Sequence, residues 1–312
     1  MNDVHGNGTH FMATLTVRPY RGPNDLRNMQ SLLSAACAQT DIRVGDLAWL
    51  SRVHTHRELG LDIRLWEQDD TLAGWSFFRA NGGFTIFAAP DLVTDTLIDD
   101  MLATVEGMAR EAIAAGDELS SLHTYGIVPG RSPLDDALAQ GLERNGFTGE
   151  KDGGGVLIRD LDSLDEPSLP SGYRLATVDT PERITGRVET HRLAFAPSDL
   201  TNRMYERVRN RWPYRQELDQ IAETGTGDVV AFCTAWIDEE NATGLLEPVG
   251  THPEHLRRGL ASAVCQAALI ALRESGARTA QVAFTTPQAR KLYESLGFNL
   301  VDDEYTFTKS LI

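Results

Sequence analysis

Glu247-Pro248-Val249-Gly250-Thr251-His252-Pro253-Glu254-His255-Leu256-Arg257-Arg258-Gly259-Leu260-Ala261 runs from a strand, through a turn marked by His252-Pro253, into a glycine-containing loop that opens a helix. The first N–H groups of a helix have no partner in their own ladder and lie at the positive end of its dipole, so such a junction is a ready anion site. Gly259 and Ala261 are small enough for the backbone to approach a diphosphate, and Arg257 and Arg258 can add charge to the same ligand. Leu256, Leu260 and Ser262 complete the candidate loop, which Val249, Gly250 and Thr251 enter along the strand. The spacing alone also fits an ordinary turn followed by a solvated arginine pair. The surrounding chain has to separate the two readings.

Outward from this run, the C-terminal half reads as an α/β unit. A strand near 173–176 precedes a helix with Thr180 as N-cap and Pro181 at its first position, and a second helical stretch covers about 202–208. Strands are expected at 216–222, 229–237 and 244–251. A helix over 260–275 closed by Gly276, a strand at 279–284, a helix at 288–296 and a last strand near 305–309 follow. The N-terminal half repeats this order. Thr16-Val17-Arg18 parallels Gly172-Tyr173-Arg174, and each is followed by a helix with proline in its first turn, Pro23 or Pro181. Strands at 63–66, 72–78 and 84–87, a helix over 93–115 ending at Gly116, and a strand near 119–125 come next. Residues 134–145 then lead into Gly146-Phe147 as the later helix leads into Gly297-Phe298, and a strand near 156–159 ends the half. Such correspondence marks an internal repeat. The polar, proline-bearing stretch 161–170 reads as a linker between units at 1–160 and 171–312.

The loop at 256–261 resembles the acetyl-CoA pyrophosphate loop of the GNAT superfamily of N-acetyltransferases, whose pattern is Arg or Gln, two residues, Gly, one residue, then Gly or Ala. Gly259 and Ala261 match; Leu256 departs at the first position. Ala289-Arg290-Lys291-Leu292-Tyr293-Glu294-Ser295-Leu296-Gly297-Phe298 resembles the family's run Asn-x-x-Ala-x-x-Leu-Tyr-x-x-x-Gly-Phe, with Thr286 where Asn is usual. The resemblance covers the chain as a tandem pair, a layout similar to that of mycothiol synthase, although no residue singles out that substrate. It implies an α/β (α+β) fold of two tandem GNAT-like domains, each a mixed, mostly antiparallel sheet flanked by helices with splayed central parallel strands. It further implies acetyl-CoA or another acyl-CoA as co-substrate, its pantetheine arm pairing with Val249 to Thr251 and its diphosphate held at 256–262. Pro248, which cannot donate to a ladder, suits the edge of such a splay.

Acyl transfer to an amine requires the amine to lose a proton and the departing thiolate to gain one. Tyr293, on the inward stripe Ala289, Leu292, Tyr293 and Leu296, is the candidate acid. Glu247 is the candidate base, on a face that strict alternation has it share with Val249 and Thr251. A satisfied core tyrosine and an ordinary ion pair are the competing readings. His252 and His255 fall beyond the strand and are weaker bases. His54 and His56 lack companion ligands at metal-binding spacing and read as surface residues, so no metal site is expected. In the first repeat the matching loop, 88–96, has no glycine or arginine and carries Asp91 and Asp95, which repel a diphosphate; Leu142 stands where Tyr293 does. That repeat is expected to be degenerate.

A net charge of −16, from 29 basic and 45 acidic residues spread over both halves, argues against a nucleic-acid partner. It fits cationic ligands such as amines or polyamines, or plain solubility. No apolar run reaches the ~18–20 residues of a membrane span, and residues 1–5 carry no secretory pattern. Cys37, Cys233 and Cys265 lie in apolar contexts and read as free thiols of a cytoplasmic protein; the scarcity of lysine hints at a GC-rich bacterial source. The expected activity is acetyl transfer from acetyl-CoA to a primary amine of a small molecule, by direct attack in a ternary complex, in a monomer or homodimer. A non-catalytic acyl-CoA sensor and an aminoacyl-tRNA-dependent transferase of related fold are the alternatives. The stretch 193–214, with Phe195, Arg207, Arg211, Trp212 and Tyr214, is expected to overhang the acceptor cleft.

Overall fold

The computed structural model describes residues 15–53 and 56–311. Residues 1–5 and His54, read above, lie outside them, as does the side chain of His56. The first repeat consists of β1 (Leu15–Pro19), α1 (Pro23–Ala35), α2 (Val44–Leu50), α3 (His56–Asp62), β2 (Ile63–Gln68), β3 (Thr71–Phe78), β4 (Phe84–Ala88), α4 (Asp95–Ala115), β5 (Ser121–Tyr125), α5 (Pro133–Arg144) and β6 (Thr148–Asp160). The second consists of β7 (Tyr173–Thr177), α6 (Pro181–Ala194), α7 (Asn202–Arg209), β8 (Asp219–Thr224), β9 (Val229–Asp238), β10 (Thr243–Thr251), α8 (Leu260–Glu274), β11 (Thr279–Phe284), α9 (Pro287–Ser295) and β12 (Asn299–Ser310).

The described residues form two sheets, one ordered β1-β2-β3-β4 and one ordered β5-β12-β6-β11-β10-β9-β8-β7. A parallel bridge from Gly83 to His123 marks where they abut. In the second repeat, β10 and β11 pair in parallel only from Thr243 and Thr279 to Leu245 and Gln281, and then part. Each repeat thus has a parting between its two central parallel strands. The fold is the expected tandem of mixed, mostly antiparallel sheets flanked by helices.

Hydrogen bonding crosses the sequence repeat. β6, at the end of the first repeat, lies between β12 and β11, and β12 lies between β5 and β6. The repeats exchange their last strands. Gly155 allows this crossing, since a Cβ there would stand 2.7 Å from the carbonyl oxygen of Asp302.

Alternation along β9 divides the second repeat into two apolar layers. Cys233, Ala235 and Ile237 pack with α8 and α9, while Phe232 and Trp236 pack with α2, α6 and α7. Each fully buried large side chain contributes about 1.5–3 kcal/mol, so a strand buried on both faces is held strongly. The helix α2 belongs to the first repeat, yet its Ala48 and Trp49 lie in the second repeat's core. No helix among the described residues is long and apolar enough to cross a membrane.

Candidate active site

The parting of β10 from β11 coincides with a bulge. Leu246 pairs with Ala235 and Val249 with Cys233, so Glu247 and Pro248 together stand opposite Thr234. The extra residue inverts the alternation. Val249 falls on the α8 side with Leu246, whereas Glu247 lines a cavity on the other face with Leu245. The expectation that Glu247, Val249 and Thr251 share a face is therefore corrected, because period-2 counting fails across a bulge. Trp236 Nε1 donates to the Glu247 carbonyl oxygen at 2.5 Å and fixes the backbone there.

Beyond β10 the chain reaches α8 through two left-handed residues, Arg257 (φ 60°) and Gly259 (φ 81°). Gly259 is the N-cap and has no side chain with which to cap the helix; a Cβ there would meet nothing within 4 Å. The α8 ladder begins with Ala263 N–H donating to Gly259 O at 3.0 Å, so the amides of Leu260, Ala261 and Ser262 stand ahead of it. By contrast α6, α7 and α9 are capped by Thr180, Thr201 and Thr286, and in the first repeat the Thr94 hydroxyl accepts from Leu97 N–H at the head of α4. Arg258 is braced, donating to Tyr173 Oη at 2.7 Å and to Glu254 O at 3.1 Å, and Tyr173 Oη meets His255 Nδ1 at 2.9 Å. His252 and His255 border a separate hollow with α6, away from Glu247. Leu256 is exposed.

The cavity at Glu247, about 320 Å³, is floored by β5, β12, β6, β11 and β10 and roofed by residues 41–50. Its walls include Trp49, Tyr125 and Val156, and its acidic groups include Asp46, Asp152, Glu247 and Glu304. Burial raises the Glu247 carboxyl to about 7, the charges of Asp46 and Glu304 adding to it and Arg52 opposing it. Burial likewise raises Glu304 to about 7, with Asp152 and Asp46 adding, and raises Asp46 to about 6 although it accepts from Arg43 N–H at 2.6 Å. Among the described residues, neither the Glu247 nor the Glu304 carboxylate has a hydrogen bond or ion pair.

Tyr293 occupies the opposite face. It is buried in the α8-side core, its ring edge-on to Phe298 with centroids 6.0 Å apart. Burial pushes its phenol well above the usual range, and the charge of Glu247 adds to this. No described residue hydrogen-bonds its hydroxyl. Glu247 and Tyr293 therefore flank one parting from its two faces.

Sequence reasoning missed Asp46, Trp49, Gln281 and Glu304. α2 is seven residues long and contains Gly45, too short to give a periodic signal, and its role as a roof is set by tertiary packing. The stretch 193–214 does not line the cavity, contrary to expectation. Tyr205 and Tyr214 instead donate to the buried Asp219, Arg211 donates to Ser51 Oγ at 2.5 Å, and Arg27 lies 3.3 Å above the Trp212 ring. Arg211 and Trp212 thereby join the repeats, while Tyr205 and Tyr214 are used inside the second.

Residues 187–298 match the model of the family described as Acetyltransferase (GNAT) family. Comparison with curated proteins gave no match. Among solved structures, the chain is similar to a GCN5-related N-acetyltransferase from Sphaerobacter thermophilus, with 16% identity, 95% of each chain covered and a TM-score of 0.63. It is also similar to a tandem GNAT protein from the clavulanic acid biosynthesis pathway, with 15% identity, 95% of this chain and 98% of that one covered and a TM-score of 0.62. At such identities the likeness speaks to fold, and that fold spans both repeats. The match to the GNAT acetyltransferase family thus falls within the second repeat, at residues 187–298, and the chain as a whole has the fold seen in tandem GNAT structures.

Proposed function

We propose that the second repeat transfers an acetyl or other acyl group from acyl-CoA to a primary amine of a small molecule. The observation that carries this reading is the pair Glu247 and Tyr293, set on opposite faces of a strand parting whose outer end leads to an uncapped helix.

The residues present suit acyl-CoA. The amides of Leu260, Ala261 and Ser262 would hold its diphosphate, and the free edge of β10 at 249–251 would pair with its pantetheine arm. Thr251 Oγ1, buried and without a partner among the described residues, is a further polar group on that edge. Bound acyl-CoA supplies a thioester carbonyl. Glu247 takes a proton from the acceptor nitrogen as the C–N bond forms, and a carboxyl held at about 7 is matched to that task near neutral pH. Tyr293 Oη gives its proton to the departing sulfur as the C–S bond breaks; its raised pKa keeps that proton in place until then. The first repeat serves as scaffold, its α2 closing the acceptor cavity.

The test is thiol release from acetyl-CoA by the full-length protein across a library of small amines. Amine-dependent release supports the proposal. Tight acyl-CoA binding with no release for any amine would replace it with a sensor role.

A further inference from the structure

The cavity is longer than one amine needs. Glu247 stands on β10, Gln281 and Ala283 on β11, Asp152 and Val156 on β6, and Glu304 on β12, all lining one space. These strands are consecutive neighbours, so three inter-strand gaps separate Glu247 from Glu304, two of them of about 4.8 Å and the one between β10 and β11 widened by their parting. The floor between them is apolar at Ala283 and Val156, which are cross-strand partners.

The other charges around the cavity are engaged by protein groups, Arg79 donating to Thr85 Oγ1 at 3.2 Å and to Phe84 O at 3.3 Å. Asp41 is ion-paired with Arg131. Asp46 is tied to the head of α2, and Arg52 lies 4.6 Å over the Trp49 ring and donates to Trp49 O at 2.9 Å. Asp152 accepts from Gly154 N–H and Thr306 Oγ1, both at 2.8 Å. Glu247 and Glu304 are left as unpaired carboxylates at the two ends. An independent sign of a ligand lies between them. Gln281 is only 3% exposed, its Nε2 donates to Asp41 O at 2.8 Å, and its Oε1 has no donor among the described residues. A buried acceptor left without a donor is costly, and a cationic N–H would satisfy it.

A monoamine would pair one of the two carboxylates and strand the other. We infer that the acceptor is a linear aliphatic diamine or polyamine, its reacting nitrogen at Glu247 beside Gln281, its methylenes over Ala283 and Val156, and a second ammonium at Glu304 and Asp152. The assignment of the reacting end rests on the acyl-transfer reading; the two-cation cavity does not.

The test compares 1,5-diaminopentane and spermidine with pentylamine, using the full-length protein. Amine binding is titrated calorimetrically without acyl-CoA, and kcat/KM is measured with acetyl-CoA. The diamine should bind about tenfold or more tighter than pentylamine, the size of one charge-assisted hydrogen bond. Glu304→Gln should bring the diamine-to-monoamine ratio close to one, with acetyl-CoA binding measured on the same variant to confirm folding. Equal affinity of the wild type for diamine and monoamine overturns the inference whatever the variant does, as does a ratio that Glu304→Gln leaves intact. Tight diamine binding that depends on Glu304, with no thiol release from any amine, sustains this inference and sinks the acyl-transfer reading. Release with pentylamine equal to that with the diamines does the reverse.

Discussion

Gly45 of α2 lies against Trp236 of β9 so closely that a Cβ on it would stand 2.3 Å from the indole Cγ. This contact seats a helix of the first repeat on the sheet of the second, and Gln30 Nε2 to Trp212 O (2.8 Å) and Ser34 Oγ to Asp238 Oδ1 (2.9 Å) hold α1 beside it. Any larger residue must lift α2 and with it the roof of the cavity. Gly45→Val should cost about 1–3 kcal/mol of stability, as overpacking does. It should raise the amine KM and leave acyl-CoA affinity intact. A denaturation midpoint equal to wild type would mean that α2 does not depend on this fit.

Tyr293→Phe removes one oxygen and keeps the ring against Phe298. If Oη protonates the departing sulfur, kcat should fall by roughly 10²–10⁴-fold with little change in the dissociation constant of acetyl-CoA. The assay is steady-state turnover paired with a binding titration. Near-normal kcat would reduce Tyr293 to a packing residue.

The head of α8 predicts a separation of binding from stability. Gly259→Asp places a carboxylate before amides that nothing else caps. The helix dipole tolerates that charge, and Asp accepts left-handed backbone better than most residues, so the thermal midpoint should move little. A diphosphate would meet repulsion, and acyl-CoA affinity should fall by at least about tenfold, or ~1.4 kcal/mol. Wild type should bind one acyl-CoA per chain, since Thr94 already occupies the matching helix head in the first repeat. Two equivalents per chain would show that the first repeat also holds the ligand.

The parts legible in the sequence were those governed by local rules. Thr180 before Pro181, Gly116 after α4 and the two Gly-Phe pairs mark helix ends whose chemistry is contained in a few residues. The run 256–262 could be read because a helix head is a local object. Pairing over long separations could not. β6 and β12 were read only as short terminal strands, and their exchange depends on Thr279–Phe284 meeting Gly155–Asp160 across more than a hundred residues. The expected strand over 216–222 opens instead with a short 3-10 turn at Gln216–Leu218, and β8 begins at Asp219, whose carboxylate is drawn into the core by Tyr205, Tyr214 and Thr234. Glu247 was singled out by type and place, but its face was misjudged, because the pairing that defines the bulge lies on β9. Glu304 had no motif at all; only the sheet order brings it to the cavity.

Glu247 sets activity and stability against each other in pH. Its folded value of about 7 lies above the ordinary 4.5 because burial penalises the anion, with Asp46 and Glu304 adding to the effect and Arg52 opposing it. The base must be ionised to take a proton, so kcat/KM should rise with pH through about 7 and level off above it; Glu247→Gln should lower the plateau at least about a hundredfold and remove this inflection. Between about 4.5 and 7 the folded chain binds more protons than the unfolded one, so stability falls as pH rises across that window. Gln cannot ionise and escapes this loss. The stability of Glu247→Gln relative to wild type should therefore be greater at pH 8 than at pH 5, measured by denaturant midpoints at both. A difference that shrinks with pH would mean that Glu247 is stabilised as an anion in the folded protein, and a group so stabilised would be a weak base at neutral pH.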